Sequence, residues 1–259
     1  MGNDFVANYR RDGLAKIEGV FSVAEMDALR SASYLALTNL PAIREKYAYQ
    51  PLETVDNGVT RSPALLFWPA FANEYLDKLR SDFRLVEIVT SLIGPNVKQL
   101  NNQFYYRLPG DTDSFQWHQD IMFRSPRSDY PQMAEQDAYL QTAIIVDEMT
   151  EENGPIQFVL GSHKLGDLRL ISENYEGLRG YTPIPPQAAF AGMPVVKLTA
   201  RPGDVVVWSS LSVHGSEANQ SRVSRSYYMN GFAKSECSKP WPDYIKDGKV
   251  QPLDFTKIP

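Results

Sequence analysis

The hexapeptide FQWHQD, Phe115 to Asp120, sets a histidine and an aspartate two positions apart in a chain with three histidines. On a strand, side chains at i and i+2 leave the same face, so His118 and Asp120 are expected to point together into the interior. Burying a carboxylate among aromatic neighbours is costly unless a cation or several donors compensate it. One neutral imidazole beside one carboxylate therefore suggests a metal; the plainer alternative is an edge strand with two solvated residues. His214, in VVVWSSLSVHGSEANQSRVSR, adds a second imidazole after an apolar strand and a serine-rich turn. Two histidines and a carboxylate form a facial triad, which fills one face of an octahedral metal and leaves the other open, the pattern of non-haem Fe(II). Structural zinc sites take four ligands, mostly thiolates, and Cys237 is the single cysteine. HExxH, GxSxG, P-loop and GxGxxG strings are absent, so protease, hydrolase-elbow, NTPase and dinucleotide readings lack support.

Arg225 follows His214 on the expected last strand. A guanidinium facing a barrel interior needs an anionic partner, and its planar fork matches a carboxylate. Ser216 is placed to lend that carboxylate a hydroxyl. The alternative is a solvated arginine on an edge strand, which is how Arg222, in the preceding loop, reads.

These residues need a scaffold that gathers distant segments. The first third reads as helical. Ser22 and Glu25 in SVAE have the spacing of a capping box, with Phe21 and Met26 placed as its hydrophobic staple. Met26, Leu29 and Ser33 then share a face ahead of Pro41. Leu85, Ile88, Val89 and Leu92 follow the i, i+3, i+4, i+7 pattern, and Gly94-Pro95 stops that helix. From Val97 the texture changes to runs of β-branched and aromatic residues separated by turns such as LPGD, ENGP and RPGD. In RPGD, Pro202 and Gly203 suit the two central positions of a type II turn. About eight short strands without intervening helices predict a sandwich or barrel with helices outside. One domain over 1–259 is expected: a helical portion to about 96, a β-core from 97 to 234, and a tail from 235. The stretches Arg124 to Gln136 and Gly166 to Met193 lack periodicity and read as lids or binding loops.

Composition narrows the class further. The chain is 43% hydrophobic over 259 residues, enough for a large core. A net charge of −5 and a pI near 5.3 argue against nucleic acid or an anionic membrane as partner. One cysteine suits a reducing compartment, and neither a signal-peptide pattern nor a run of spanning length appears. A cytoplasmic protein is the expectation.

The HxD pair, the distal histidine, HGSEANQSRVSR and TEENGPIQFVLGSHK together resemble the phytanoyl-CoA dioxygenase family. DGLAKIEGVFSVAEMDALR resembles that family's opening strand and helix, so the likeness covers nearly the whole chain. The resemblance implies a double-stranded β-helix, a jelly-roll or cupin-like core, with Fe(II), 2-oxoglutarate and O2 as cofactor and cosubstrates. Carried over residue by residue, it makes His118, Asp120 and His214 iron ligands. Arg225 would hold the distal carboxylate of 2-oxoglutarate, assisted by Ser216. Asp120 argues against a halogenase, since related halogenases lack that carboxylate. His163, in the GSHK turn, receives no chemistry. Gln116 shares parity with His118 and is a candidate cosubstrate contact, while Gln141 and Asn102 are further pocket candidates. Ala143 departs from relatives with a bulky aromatic residue there, which implies a roomier pocket or one filled by another side chain.

The expected reaction is oxidation, most simply hydroxylation, of a small metabolite or natural-product intermediate, with release of succinate and CO2. A cupin-like metal hydrolase or isomerase, or an inert binding module, are the alternatives; neither has a use for the full set of triad and Arg225. An acyl-CoA is not favoured, because no basic cluster suits its phosphates, and FQWHQDIMF departs from the ectoine hydroxylase signature. Tyr105, Tyr106, Phe123, Tyr227 and Trp241 offer aromatic wall, with Tyr227 sharing the parity of Arg225. Arg124 and Arg127 are candidate anion contacts in the first loop.

Overall fold

The capping box begins a helix as its spacing requires. The Ser22 N–H donates to Glu25 Oε2 at 2.8 Å, and the Glu25 N–H donates back to Ser22 Oγ at 3.3 Å. Phe21 and Met26 are both buried in the core beneath it. The computed structural model describes residues 4–38, 65–110, 114–123, 131–168, 185–237, 241 and 243–252. In chain order they form α1 (Asp4–Asp12), β1 (Leu14–Ile17), α2 (Val23–Thr38), β2 (Leu65–Phe67), α3 (Glu74–Arg80) and α4 (Phe83–Ile93). The strands β3 (Val97–Arg107), β4 (Phe115–His118), β5 (Tyr139–Ile145), β6 (Ile156–Val159), β7 (Val195–Lys197) and β8 (Val205–Ser209) follow. Last come β9 (His214–Ser216), β10 (Arg225–Lys234), β11 (Asp243–Lys246) and β12 (Lys249–Val250). Gly94, at φ 90°, ends α4 with its N–H on the Thr90 carbonyl.

Two antiparallel sheets face each other. The larger runs β1–β8–β5–β10–β3–β11–β12, with β2 also paired to β3; the smaller runs β4–β9–β6–β7. This is the double-stranded β-helix that the resemblance implies. Strand alternation divides the core. Tyr228 and Phe232 of β10 lie under the helices with Met26, Leu29, Leu85 and Ile88. Tyr227 and Met229 instead pack between the sheets with Ala143, Phe158 and Trp208. The RPGD turn closes as expected: Gly203 sits at φ 92°, and the Asp204 N–H donates to the Arg201 carbonyl at 3.1 Å.

The described residues form more strands than the eight expected. Segments of three or four residues, such as β2, β7 and β9, are too short to show alternation in sequence. The first 96 residues are also not only helical, because β1 pairs with β8 and β2 with β3. Of the two expected loops, residues 124–130 and 169–184 lie outside the described residues. Pro131–Ala134 and Gln187–Phe190 are short 3₁₀ turns.

Arg84 ties the starts of α2 and α4 together. Its guanidinium meets Glu25 at 2.7 Å and Asp82 at 2.8 Å and lies 4.0 Å from the Phe21 ring centroid. The Arg84 hydrogen bond holds the Glu25 carboxyl at about 2, well below the usual carboxylate range. A depressed native pKa stabilises only while the group is ionised. Glu25→Gln is therefore expected to melt below the wild type at pH 7. The gap should hold down to about pH 4.5 and close toward pH 2 in thermal melts.

Candidate metal centre and its surroundings

His118 and His214 are direct Cα partners across β4 and β9, with Phe115 opposite Ser216 and a bulge between the two pairs. His118 Nδ1 lies 2.8 Å from the Gln116 carbonyl, and His214 Nδ1 lies 3.0 Å from the Ser212 carbonyl. A carbonyl only accepts, so each Nδ1 carries the proton and each Nε2 presents a lone pair. Those Nε2 atoms point at Asp120: 4.0 Å from His118 to Oδ1 and 3.5 Å from His214 to Oδ2. One ligand atom from each residue falls within 4.8 Å of the others, and all three residues are buried. Among the described residues this is the one such cluster. Burial, and then the neighbouring His214, hold the His118 pKa well below its ordinary value, which keeps the imidazole neutral as metal ligation demands.

Asp120 reaches the cluster by a route that strand parity does not describe. β4 ends at His118, and Asp120 opens a 3₁₀ turn, Asp120–Phe123. The residue between them makes the turn. Gln119 is fully buried; its amide donates to the Leu211 carbonyl at 2.6 Å and the Gly166 carbonyl at 2.8 Å, and its Oε1 accepts from the Leu168 N–H at 2.9 Å. The bulge also corrects Gln116, whose side chain is exposed rather than sharing the interior face. Its contribution is the carbonyl that orients His118. Asp120 itself is held by Trp208, a buried residue whose indole N–H donates to Oδ2 at 2.8 Å. Trp208 and Phe158 also pack against the His214 ring at centroid distances of 5.7 and 5.5 Å. Two inward imine nitrogens and an oriented carboxylate, shielded from water, fit a divalent iron-type ion.

Arg225 opens β10 and is 2% exposed. Its cross-strand Cα partner is Arg107, also buried, whose Nη2 donates to Ser216 Oγ at 3.4 Å. A basic end of the interior thus gathers Arg225, Arg107 and Ser216 beside the triad. Next along the same face, Tyr105 and Tyr227 stack at 4.9 Å, and the Arg225 guanidinium lies 5.6 Å from the Tyr227 ring centroid. Burial pushes the Tyr227 phenol up to about 12 despite the arginines, so it stays protonated.

Asn102 is misplaced by the sequence reading. It lies on the helix side of β3, where its amide donates to the Tyr228 hydroxyl and Asn230 Oδ1 and its Oδ1 accepts from the Ala70 N–H. Its neighbours Asn101 and Gln103 take the interior face instead. Gln141 is on that face as expected, opposite Gly231 and Trp208. Ala143 lies between Met229 and Val206, packed with Phe158 and Trp208. Tyr106 belongs to the helix-side core, Trp241 stacks on Trp68 at 6.3 Å, and half-exposed Phe123 lies 5.5 Å from the His118 ring. His163 is buried with its Nε2 on the Arg10 carbonyl, and Arg222 is exposed. Arg124 and Arg127 lie outside the described residues. Sequence reasoning missed Arg107, Gln119, Trp208 and Gln103. Only Gln119 had a local signal, being the residue between two candidate ligands.

A jelly roll whose interior gathers two imidazoles and a carboxylate has the plan of the non-haem iron oxygenases. The family model for phytanoyl-CoA dioxygenase (PhyH) matches residues 9–227. The chain belongs to that family, and with it to the dioxygenases that use iron and 2-oxoglutarate. It is 26% identical over 237 residues to a probable alpha-ketoglutarate-dependent hypophosphite dioxygenase of Stutzerimonas stutzeri, covering 90% of this chain and 78% of the relative. It is 25% identical over 282 residues to the ectoine dioxygenase of Bordetella parapertussis, covering 98% and 86%. The crystal structure of EctD from S. alaskensis with 2-oxoglutarate and 5-hydroxyectoine superposes with a TM-score of 0.74 at 21% identity, covering 98% of this chain and 86% of that one.

The Trp208 contact makes a separable claim. Removing a partner that orients a ligand typically costs about 10- to 100-fold in metal affinity. Trp208→Phe keeps the ring and removes the N–H. It is expected to weaken Co(II) binding by about that factor in a spectroscopic titration, with the fold retained by circular dichroism. Unchanged affinity would show that Asp120 is oriented without the indole.

Proposed function

We propose that His118, Asp120 and His214 bind the iron of a 2-oxoglutarate-dependent dioxygenase that oxidises, most simply hydroxylates, a small-molecule metabolite. In this reading Arg225 binds the distal carboxylate of 2-oxoglutarate, with Ser216 and Arg107 beside it. The observation that carries the proposal is the pairing of two inward Nε2 atoms and a buried carboxylate with a buried guanidinium in the same interior. A hydrolase or isomerase would have no need of Arg225, and an inert binding module no need of the triad.

Iron and 2-oxoglutarate, when bound, supply the oxidation: substrate, O2 and 2-oxoglutarate give hydroxylated substrate, succinate and CO2. The chain's own residues prepare the site. The backbone carbonyls of Gln116 and Ser212 fix both imidazoles in the ligating tautomer. Trp208 fixes Asp120, and the permanent charge of Arg225 sets the far end of the cosubstrate. The apolar cluster of Ile145, Phe158, Val206 and Trp208 excludes water around them. The whole chain acts as one domain in this reading. Among the described residues no helix is long and apolar enough to cross a membrane. The single, buried Cys237 supports a cytoplasmic setting.

Arg225 distinguishes this chemistry from other uses of the triad. Removing one member of a buried ion pair costs on the order of 3–5 kcal/mol. At about 1.4 kcal/mol per decade, Arg225→Ala should raise the KM for 2-oxoglutarate by roughly two to three and a half decades. Arg225→Lys should recover only part of that, since an ammonium cannot make the bidentate contact. Arg222→Ala, on the exposed loop, should match the wild type. Equal behaviour of Arg225→Ala and Arg222→Ala would remove the cosubstrate assignment.

A further inference from the structure

Beyond the tyrosine pair, the interior face continues into a row of neutral polar groups that the reaction scheme does not use. Gln103 lies opposite Met229, and one step further Asn101, Gly231, Gln141 and Trp208 stand side by side across β3, β10, β5 and β8. Gln103 is 7% exposed and Gln141 2%. Gln141 donates its amide to the Tyr139 hydroxyl at 2.8 Å. Its Oε1, the Oε1 of Gln103 and the hydroxyl of Ser210 are buried with no hydrogen-bond partner among the described residues. Such orphans destabilise a fold and call for an explanation. Gly231 leaves space for the Gln141–Tyr139 pair: a Cβ there would come within 2.5 Å of Gln141 Oε1 and 3.1 Å of the Tyr139 hydroxyl. The row adjoins the metal centre, because Trp208, the strand neighbour of Gln141, holds Asp120.

We infer that Gln103 and Gln141 form the substrate subsite, and that the substrate is a neutral small molecule presenting hydroxyl or N–H donors to their two carbonyl oxygens. The inference rests on the proposed dioxygenase reading and extends it to substrate class. Two amide oxygens offer acceptors and no charge. Having no charge, the carboxamides give an anion no counter-charge, and a hydrocarbon would leave both unpaired. A site built to pair with a substrate hydroxyl or N–H rejects analogues that lack it far more strongly than an apolar pocket rejects a change of size. The interior thus has two ends: arginines for the cosubstrate carboxylate and carboxamides for the substrate.

Calorimetric titration of the anaerobic Fe(II)- and 2-oxoglutarate-loaded protein tests this. The probes are cis-1,2-cyclohexanediol and δ-valerolactam, their O- and N-methylated forms, and the anions cyclohexanecarboxylate and hypophosphite. At least one donor probe should bind at least about tenfold tighter than its methylated form and tighter than either anion, as the loss of one hydrogen bond to a buried acceptor predicts. Gln103→Met and Gln141→Met, near-isosteric and apolar, should each erase that ratio and leave the 2-oxoglutarate affinity within about twofold. Gln103→Met should not lower the melting temperature of the unliganded protein, because it removes an orphaned polar atom; Gln141→Met also loses the bond to Tyr139, so the stability readout is taken on Gln103 alone. Equal binding of methylated forms, preference for an anion, or no binding by any donor probe would overturn the inference. A Gln103→Met variant that unfolds or melts lower would also overturn it, by making that carboxamide structural. Loss of 2-oxoglutarate binding in the wild type would instead remove the dioxygenase reading itself.

Discussion

The strand pair β4–β9 sets His118 and His214 face to face, and the rest of the site is arranged about that pairing. Two histidines on neighbouring strands would ordinarily be free to rotate, flip tautomer or take up protons. Here each Nδ1 is tied to a carbonyl within its own strand or the turn before it, and burial keeps His118 neutral. The result is two fixed lone pairs with one free direction between them. Asp120 enters from that direction. Everything that positions Asp120, from the Gln119 bonds to Leu211 and Gly166 to the Trp208 N–H, comes from segments that the jelly roll alone brings together.

That geometry polarises the space between the sheets. Arginines cluster at one end, stacked tyrosines that remain protonated stand in the middle, and uncharged carboxamides lie beyond. Antiparallel register is what produces the sequence of rows. Because alternate residues of β3 and β10 face the same way, Arg107–Arg225, Tyr105–Tyr227 and Gln103–Met229 follow one another as Cα pairs. A one-residue slip in either strand would send the whole set to the helix side.

What could be read from the sequence was local. The capping box, the RPGD turn and the Gly94 stop depend on residues within three or four positions, and all are seen. The His-x-Asp string, His214 and Arg225 could be singled out because each is chemically unusual in an apolar run. Parity arguments failed where strands are irregular. The bulge in β4 turned Gln116 outward, and Asp120 lies past the strand end rather than on it. Asn102 was placed on the wrong face for want of a register: pairing Arg225 with Arg107 settles the orientation of β3, and no local feature of the sequence supplies that pairing. Trp208, Arg107 and Gln103 were missed for the same reason. Each is an ordinary strand residue until its cross-strand neighbour is known.

The central claim is that one interior would hold both iron, on His118, Asp120 and His214, and 2-oxoglutarate, on Arg225. Anaerobic titration with Fe(II) and then 2-oxoglutarate tests it most directly. Chelation by a 2-oxoacid gives a weak visible charge-transfer band that neither component gives alone. The account predicts that band in the wild type, saturating with 2-oxoglutarate, and its loss in His118→Ala and His214→Ala. Iron that binds tightly yet gives no band with 2-oxoglutarate, or a full-strength band in either variant, would contradict it.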